Sequence, residues 1–181
     1  MPRWVLAVLL ALGLGVAGPA HAAATSNLEL FNAVSNAVTR YERFTIFDSV
    51  HLGVQDGTVT LTGKVTMPYK ASDIERRIAR IDGVQRVVNR IEVFPVSLFD
   101  DELRVRIAQA IYSHPALFSY GLGPTPSIHI IVERGRLTLE GVVRNDMDRQ
   151  IARSIAGSFG AFSIANDLRT DDEVTRELEQ L

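Results

Sequence analysis

The chain contains one stretch of fifteen residues twice, and this internal repeat limits what it can fold into. The stretch HLGVQDGTVTLTGKV begins at His51, and HIIVERGRLTLEGVV begins 78 residues later at His129. Seven of the fifteen aligned positions are identical, whereas unrelated chains of ordinary composition would share about one. The repeat therefore indicates two units of related structure instead of one larger domain.

Hydrophobic periodicity predicts the same order of elements in both units. Apolar residues first recur at helical spacing, then alternate with polar residues in two strands, return to helical spacing, and alternate again in a last strand. Each unit is thus predicted to be α-β-β-α-β, an α+β fold in which a three-stranded sheet carries two helices on one face. The predicted helix starts are capping boxes at Ser26 and Ser72 and caps at Asp100 and Asn145.

Glycines recur at matching places in the two units. We predict that six of them are structural: Gly57, Gly63, Gly83, Gly135, Gly141 and Gly160. The first glycine of each unit closes a hairpin turn and the last ends a helix. Gly63 and Gly141 fall on the apolar face of a strand, so we expect a helix to cross close to the sheet at both positions.

The N-terminus predicts a secretory signal peptide over residues 1–22. Arg3 precedes an uncharged, largely apolar run, which is followed by the small residues AHAAA. This run is shorter than the roughly 20 apolar residues of a membrane-spanning helix, which favours cleavage after Ala22 or Ala24 over a retained anchor. The chain has no Cys, so neither lipoprotein attachment nor a disulfide is expected. We expect a periplasmic protein that is peripheral to the membrane.

The repeat predicts a first domain at 27–94, a second at 98–170, and a short acidic helix or tail at 171–181. Units of this size bury only about 60% of their unfolded surface, so we expect the two to pack on each other or on a partner. The chain carries 19 Lys and Arg against 21 Asp and Glu, a net charge of −2, which argues against nucleic acid as a partner. The tail begins with a capping box of Thr170 and Glu173 and could dock on a basic surface of the first unit.

The duplicated order of elements is similar to that of a known family. Each copy has an aliphatic strand, DG or RG, TVTLTGKV or RLTLEGVV, and a closing GVQRVVNRIEV or GAFSIANDLRT. In these features the chain resembles the BON domain family. The resemblance implies a non-enzymatic periplasmic module that is associated with phospholipid binding and with envelope integrity under osmotic or other envelope stress.

No pattern for catalysis or metal binding stands out from the residues themselves. His51 and His129 recur in the repeat, but neither has a second His, a Cys or a carboxylate pair at ligand spacing. We therefore predict surface positions on a strand for both. The chain also lacks a Cys nucleophile, a Gly-x-Ser-x-Gly elbow and a Gly-rich phosphate loop. The expectation is a protein with no catalytic, cofactor or metal site.

A basic helix face in the first unit is one candidate contact surface. Lys70, Arg76, Arg77 and Arg80 lie off the isoleucine stripe of the second predicted helix. Such a face can approach anionic lipid head groups, at roughly 1 kcal/mol for each basic residue. The alternative is an ordinary solvated helix face.

A loop in the second unit is the other candidate. The stretch HPALFSYGLGPTP is about five residues longer than the matching segment of the first copy, and it places Leu117, Phe118, Tyr120 and Leu122 between Pro and Gly residues. These side chains either insert into a lipid interface or a partner groove or fold back to cap the sheet. We expect that second behaviour for three residues of the first copy, which are Phe44, Ile46 and Phe47.

Two functions are consistent with these surfaces. The first is a lipid-associated periplasmic module in which the arginines and the aromatic loop contact phospholipid. The alternative is a protein-interaction adaptor for an envelope or cell-wall complex, which would use the loop or an exposed strand edge.

Overall fold

The structure, a computed structural model, describes residues 19–122 and 126–178. The first unit consists of α1 Pro19–Thr39, β1 Ser49–Gln55, β2 Thr58–Val65, α2 Pro68–Ile78 and β3 Arg86–Val93. The second consists of α3 Leu98–Ser113, β4 Ile128–Glu133, β5 Arg136–Val143, α4 Asp146–Ala156 and β6 Ser163–Thr170, followed by α5 Asp171–Leu178. The predicted α+β fold of two α-β-β-α-β units is confirmed.

Each unit contains one three-stranded sheet, with strand order β1-β2-β3 in the first and β4-β5-β6 in the second. The hairpin strands are antiparallel, and the last strand returns parallel to the middle one, because a helix connects these two strands. The registers agree, since Leu52 lies opposite Leu61 and Ile130 lies opposite Leu139. Consequently β1 and β4 are equivalent edge strands.

Each unit has its own hydrophobic core between the helices and one face of the sheet. The first core includes Val34 of α1, Leu61 of β2 and Ile74 of α2. The second core includes Ile107 of α3 and Leu139 of β5. Alternate strand residues supply both cores, so the opposite face of each sheet is not covered by its own helices.

Two helices of the first unit start earlier than the capping boxes predict. α1 begins at Pro19, so Ser26 lies inside it. α2 begins at Pro68 and has no side-chain cap, so Ser72 also lies inside the helix. A proline at the first helical position explains the second case, because its missing N–H is not needed there and its φ is preset.

The caps of the second unit agree better with the sequence. Ser97, one turn before the predicted Asp100, caps α3 by accepting from the Asp100 N–H. Asn145 caps α4 as predicted. The capping box that starts α5 is confirmed, since Thr170 accepts from the Glu173 N–H and the Glu173 carboxylate accepts from the Thr170 N–H.

Gly63 and Gly141 are crowded by a neighbouring backbone segment and not by a helix, so the predicted reason for these glycines is wrong. Both have positive φ, +110° and +118°. A Cβ at these positions would lie 2.2 Å from the Ser49 carbonyl oxygen and 1.9 Å from the Ser127 carbonyl oxygen. The backbone at Ser49, where β1 starts, requires glycine at position 63 of β2. The backbone at Ser127, just before β4, requires glycine at position 141 of β5.

The ends of the chain are described only in part. The predicted signal peptide lies outside the described residues except for residues 19–22, which begin α1. No helix in residues 19–122 and 126–178 has the length and apolar character needed to cross a bilayer. α5 docks within its own unit, where Glu173 pairs with Arg149 of α4 at 3.0 Å. The expectation that it meets a basic surface of the first unit is therefore wrong.

Candidate functional site

The predicted basic face on α2 retains three of its four residues. Arg76, Arg77 and Arg80 are exposed, and Arg76 pairs with Asp73 on the same helix. Lys70 does not belong to this face, because its side chain is only 4% exposed. It lies on the buried stripe one turn before Ile74, since residues four apart share a helix face.

The buried Lys70 amine has polar partners inside the first unit. Its Nζ donates to Asp48 Oδ2 at 2.6 Å and to Thr66 Oγ1 at 2.7 Å. Asp48 also accepts from Thr45 and from the Thr66 N–H. Lys70 is thus a structural residue of the first core and cannot reach a membrane or a partner.

The extra loop of the second unit is divided between the core and the surface. Leu117 is fully buried in the second core. The Tyr120 hydroxyl donates to Asp148 and accepts from the Arg144 N–H at 2.8 Å, and burial, followed by the bond to Asp148, raises the pKa of Tyr120. Both residues fold back on the sheet, which is one of the two predicted behaviours. Leu117 is too deeply buried to be a contact residue, whereas Tyr120 is half-buried.

The other two loop residues, Phe118 and Leu122, are exposed, while residues 123–125 lie outside the described chain. The corresponding segment of the first unit is also divided. Phe44 packs on the first core, but Ile46 and Phe47 pack against the second core. The expectation that all three cap their own sheet is therefore wrong for Ile46 and Phe47.

A group of exposed apolar side chains around the start of α3 and just before β6 was not predicted from the sequence. The group comprises Val96, Leu98, Phe99 and Phe162, which are 98%, 87%, 54% and 80% exposed. The Phe99 and Phe162 rings stack with their centroids 6.5 Å apart and their planes 26° apart. We call these four residues the aromatic end of the second unit.

The buried carboxylate of Asp100 positions the aromatic end. It accepts from the backbone N–H groups of Arg134 and Gly135, both at 2.8 Å, and thereby ties the β4–β5 turn to the first turn of α3. The Gly135 carbonyl in turn accepts from the Phe162 N–H at 2.8 Å. A Cβ at Gly135 would lie 2.6 Å from the Phe162 ring. Phe99 and Phe162 therefore meet on a rigid turn and not on a free loop.

Positive charge lies beside the aromatic end. Arg134 and Arg136 flank Gly135 and are exposed, and within the described residues neither forms an ion pair. The exposed acidic residues at the start of α3 are paired, Asp101 with Arg104 and Glu102 with Arg106. The unpaired charge next to the apolar surface is thus positive.

The first unit does not carry the phenylalanines of the aromatic end in its sequence. At its equivalent turn, the Gly57 carbonyl accepts from Gln85, at 2.8 Å, in the place of Phe162. The positions of Leu98 and Phe99 in α3 correspond to Thr25 and Ser26 in α1. The two copies therefore share a fold but present different surfaces at this end.

The two units contact each other through a small interface. Lys64 donates to Glu133 at 2.6 Å and Ser49 donates to Glu140 at 2.7 Å. The hydrogen bond from Lys64 to Glu133 raises the pKa of Lys64. The expected packing of the units on each other is thus limited to a few polar pairs and to the segment that carries Ile46 and Phe47.

The two repeated histidines both lie near this interface. His129 donates from Nδ1 to the Asp48 carbonyl at 2.8 Å, and His51 Nε2 lies 3.9 Å from the Glu140 carboxylate. In the part of the chain that the structure describes, no three His, Cys, Asp or Glu side chains are grouped as metal ligands.

Comparison with known proteins identifies one family. The family model of the BON domain matches residues 42–95 and 99–172. No curated protein matches the sequence.

Solved structures with some likeness include CdsD, a structural protein of the type III secretion system of Chlamydia trachomatis. The identity is 11%, the match covers 83% of this chain and 97% of that chain, and the TM-score is 0.28. A C-terminal domain of CdsD is 13% identical over 80% of this chain and 65% of that chain, also with a TM-score of 0.28. A likeness of this size supports no conclusion about fold or function.

Proposed function

The chain belongs to the BON domain family, and from this premise we propose that it is a non-enzymatic periplasmic binding module that associates with phospholipid surfaces of the envelope. The family match covers the first unit from residue 42 onward, without α1, and nearly all of the second unit. In this proposal the aromatic end of the second unit makes the main contact, and the protein supports envelope integrity under osmotic or other stress.

The exposed Phe99–Phe162 pair is the observation that carries the proposal. Apolar patches of a few hundred Å² on a monomer often mark an interaction site, and aromatic and leucine side chains beside cations suit the boundary between head groups and acyl chains. Here Leu98 extends the apolar surface, and Arg134 and Arg136 are placed to meet anionic head groups.

Magnitudes indicate that apolar insertion would dominate the binding. Two basic residues near an anionic bilayer supply about 2 kcal/mol, whereas micromolar affinity corresponds to about 8 kcal/mol. Burial of roughly 250 Å² of apolar surface would add about 6 kcal/mol. Substitutions of the phenylalanines should therefore weaken binding more than substitutions of the arginines.

The surfaces predicted from the sequence are proposed as secondary contacts. Arg76, Arg77 and Arg80 could approach head groups, although Asp73 partly neutralises this face. Phe118 and Leu122 are the exposed side chains of the extra loop.

Co-sedimentation with vesicles tests the proposal. The purified protein should bind vesicles of phosphatidylglycerol and phosphatidylethanolamine at low salt. The variant Phe99→Ser, Phe162→Gln carries the residue types that the first unit has at these places. Its affinity for the vesicles should be lower than that of the wild type by a factor of about ten or more. Arg134→Gln should produce a smaller loss that disappears at high salt.

A matched control and a contrary result can be defined. Phe118→Ser removes an exposed phenylalanine of the same unit outside the aromatic end, so it should change binding less. The proposal fails if the wild-type protein does not bind anionic vesicles at low salt. It also fails if the double variant is folded, as judged by circular dichroism, and binds as tightly as the wild type.

The alternative function, a protein-interaction adaptor, requires a surface that accepts a protein segment. One observation favours it. The outer edge of β1, the side that faces away from β2, has no backbone hydrogen-bond partners among the described residues.

A further inference from the structure

The equivalent edge strands β4 and β1 differ in how their outer edges are covered. In β4, alternate residues direct their backbone groups away from β5, and their carbonyl or N–H groups have partners. The Ile128 carbonyl accepts from the Tyr112 hydroxyl at 2.5 Å, the Ile130 N–H donates to the Ile46 carbonyl at 2.7 Å, and the Val132 carbonyl accepts from the Arg104 guanidinium. The chain itself thus closes the edge of β4.

The edge of β1 lacks these partners. By the shared register, Val50, Leu52 and Val54 direct their backbone groups outward, and no residue in the described ranges bonds to them from that side. The places of Arg104 and Tyr112 are taken in α1 by Phe31 and Thr39. Neither of these closes the edge, because Phe31 has no donor and the Thr39 hydroxyl donates to its own helix.

Side-chain burial agrees with this difference. Ile128, Ile130 and Val132 are fully buried, whereas Val50, Leu52 and Val54 are only half-buried. An edge with unpaired backbone groups and partly exposed aliphatic side chains is a template for an added strand. Proteins that bind peptides by strand addition use such edges.

The open edge lines a cleft between the two units with a volume of about 460 Å³. One wall of the cleft is apolar and includes Val38 of α1, Phe44 and Leu52. The other wall is the open face of the second sheet, where Glu140 and Asp167 are neighbours in the β5–β6 register. A strand placed along β1 would therefore direct alternate side chains to an apolar wall and to a polar wall.

The polar wall carries unpaired negative charge. Arg169 is occupied by Glu177 at 2.5 Å. Asp167 forms no ion pair with any described residue, and the His51 ring lies 3.9 Å from the Glu140 carboxylate. Basic side chains would complement this wall, whereas acidic ones would meet like charge.

We propose that the β1 edge binds an extended segment of a protein partner as an added strand, in which apolar residues alternate with Lys or Arg. The chain shows the same kind of contact internally, where the segment of Ile46 and Phe47 lies on the β4 edge and packs apolar side chains into the core. A second copy fits less well, because its own β1 lies in the same kind of cleft. This proposal specifies the partner of the adaptor function and is independent of lipid binding.

Amide hydrogen exchange of the purified protein, followed by NMR, tests the open edge directly. In the free protein, the Leu52 amide should exchange faster than the Ile130 amide, which has a backbone partner. A capped six-residue peptide of alternating valine and lysine, at saturation, should slow exchange at Leu52 about fivefold or more. Exchange at Ile130 should stay unchanged, and an alternating valine and glutamate peptide should have no effect.

Two sets of variants give the test a control. Leu52→Pro removes the outward N–H while keeping the ladder to β2, because proline is accepted at outward positions of edge strands. In this variant the peptide should no longer slow exchange at the neighbouring outward amides of Val50 and Val54, which it should slow in the wild type. Asp167→Asn with Glu140→Gln should keep the fold and weaken binding of the valine and lysine peptide. The Phe99→Ser, Phe162→Gln variant should bind the peptide as the wild type does. A failure of the lipid-binding proposal can therefore be distinguished from a failure of the peptide-binding proposal.

Three results would overturn the proposal. The first is that exchange at Leu52 does not change, either because the valine and lysine peptide does not bind or although it fully occupies the protein. The second is protection by the peptide at residues outside β1. The third is a dimer in sedimentation whose Leu52 amide is already protected, which would make a second copy the occupant of the edge.

Discussion

Asp48 and Lys70 form an ion pair inside the first unit, with side chains that are 0% and 4% exposed and a distance of 2.6 Å between Oδ2 and Nζ. Burial by itself opposes ionisation of Asp48, but hydrogen bonds from Lys70, Thr66 and Thr45 outweigh it and hold the pKa of this carboxyl below its ordinary value. The carboxylate thus fastens the segment before β1 to α2.

The second unit has different residues at the positions equivalent to Asp48 and Lys70. Pro126 and Asp148 stand at the places of Asp48 and Lys70, and Asp148 accepts from the Tyr120 hydroxyl. One copy therefore carries a fully buried ion pair, whereas in the other the Asp148 carboxylate accepts from Tyr120 and pairs with the exposed guanidinium of Arg144 at 3.6 Å.

Lys70→Met is predicted to destabilise the protein by about 3–5 kcal/mol, because it leaves the Asp48 carboxylate buried without its ammonium partner. Urea unfolding followed by circular dichroism measures the change. Arg76→Met, on the exposed face of the same helix, is the matched control and should stay within about 0.5 kcal/mol of the wild type. Equal effects of the two substitutions would contradict the assignment of Lys70 to the core.

The same ion pair predicts an acid dependence of stability. Because the folded-state pKa of Asp48 is lowered, its contribution to stability is present above the unfolded-state pKa of about 3.9 and is lost as the pH falls below it. The free energy of unfolding should therefore fall as the pH drops below about 4. Asp48→Asn should show a weaker dependence in this range, and an identical dependence would argue against the lowered pKa.

Among the secondary-structure elements, the local hydrophobic pattern was sufficient to predict the order of helices and strands. Alternation and helical spacing are properties of neighbouring residues, and both repeats carry them. The α2 start was missed because the Ser72–Glu75 box resembled a cap, while Pro68 and the buried Lys70 extend the helix by one turn. A lysine on the isoleucine stripe was the signal that could have indicated this extension.

Contacts between distant residues were beyond the sequence pattern. Phe99 and Phe162 lie 63 residues apart, and they meet only because Asp100 anchors the turn that positions Phe162. The pattern also could not show that Ile46 and Phe47 leave their own sheet for the other unit. Surfaces formed by tertiary contacts are therefore the part that sequence reasoning missed.

Gly63→Ala is predicted to destabilise the first unit by about 2–4 kcal/mol. Its φ is +110° and the new Cβ would lie 2.2 Å from the Ser49 carbonyl oxygen, so backbone strain and a steric clash add. Gly53→Ala, in the adjacent strand, is the control. Its nearest neighbour would be 3.9 Å from the Cβ, and its effect in urea unfolding should be under about 1 kcal/mol. Similar losses at both glycines would contradict the close backbone approach.

At the scale of the whole molecule, the duplicated fold presents a different surface in each copy. The second unit has an aromatic end where the first has Gln85. The first unit has an open β1 edge where the second has an edge closed by Tyr112, Arg104 and Ile46. The two proposed contacts thus use different residues, although the second sheet also lines one wall of the peptide cleft. A membrane surface and a peptide would therefore not compete for the same side chains.

The segment between α1 and β1 makes the second unit dependent on the first. Phe47 packs against the second core, and the neighbouring Ile46 carbonyl accepts from the Ile130 N–H at 2.7 Å. The ion pair of Lys64 with Glu133 adds less, because both side chains are about 30% exposed, and such pairs contribute about 0–1 kcal/mol. The apolar anchor is therefore the main link between the units.

Phe47→Ala is predicted to destabilise the second unit by about 1–3 kcal/mol, although the residue belongs to the first. Amide exchange resolved by residue should show faster opening of β4 and β5, and X-ray scattering in solution should show a larger radius of gyration. Glu133→Gln is the control for the polar part of the interface and should change both measurements little. If Phe47→Ala instead speeds exchange in β1 and β2 and leaves β4 unchanged, the segment caps its own sheet and the link between the units is polar.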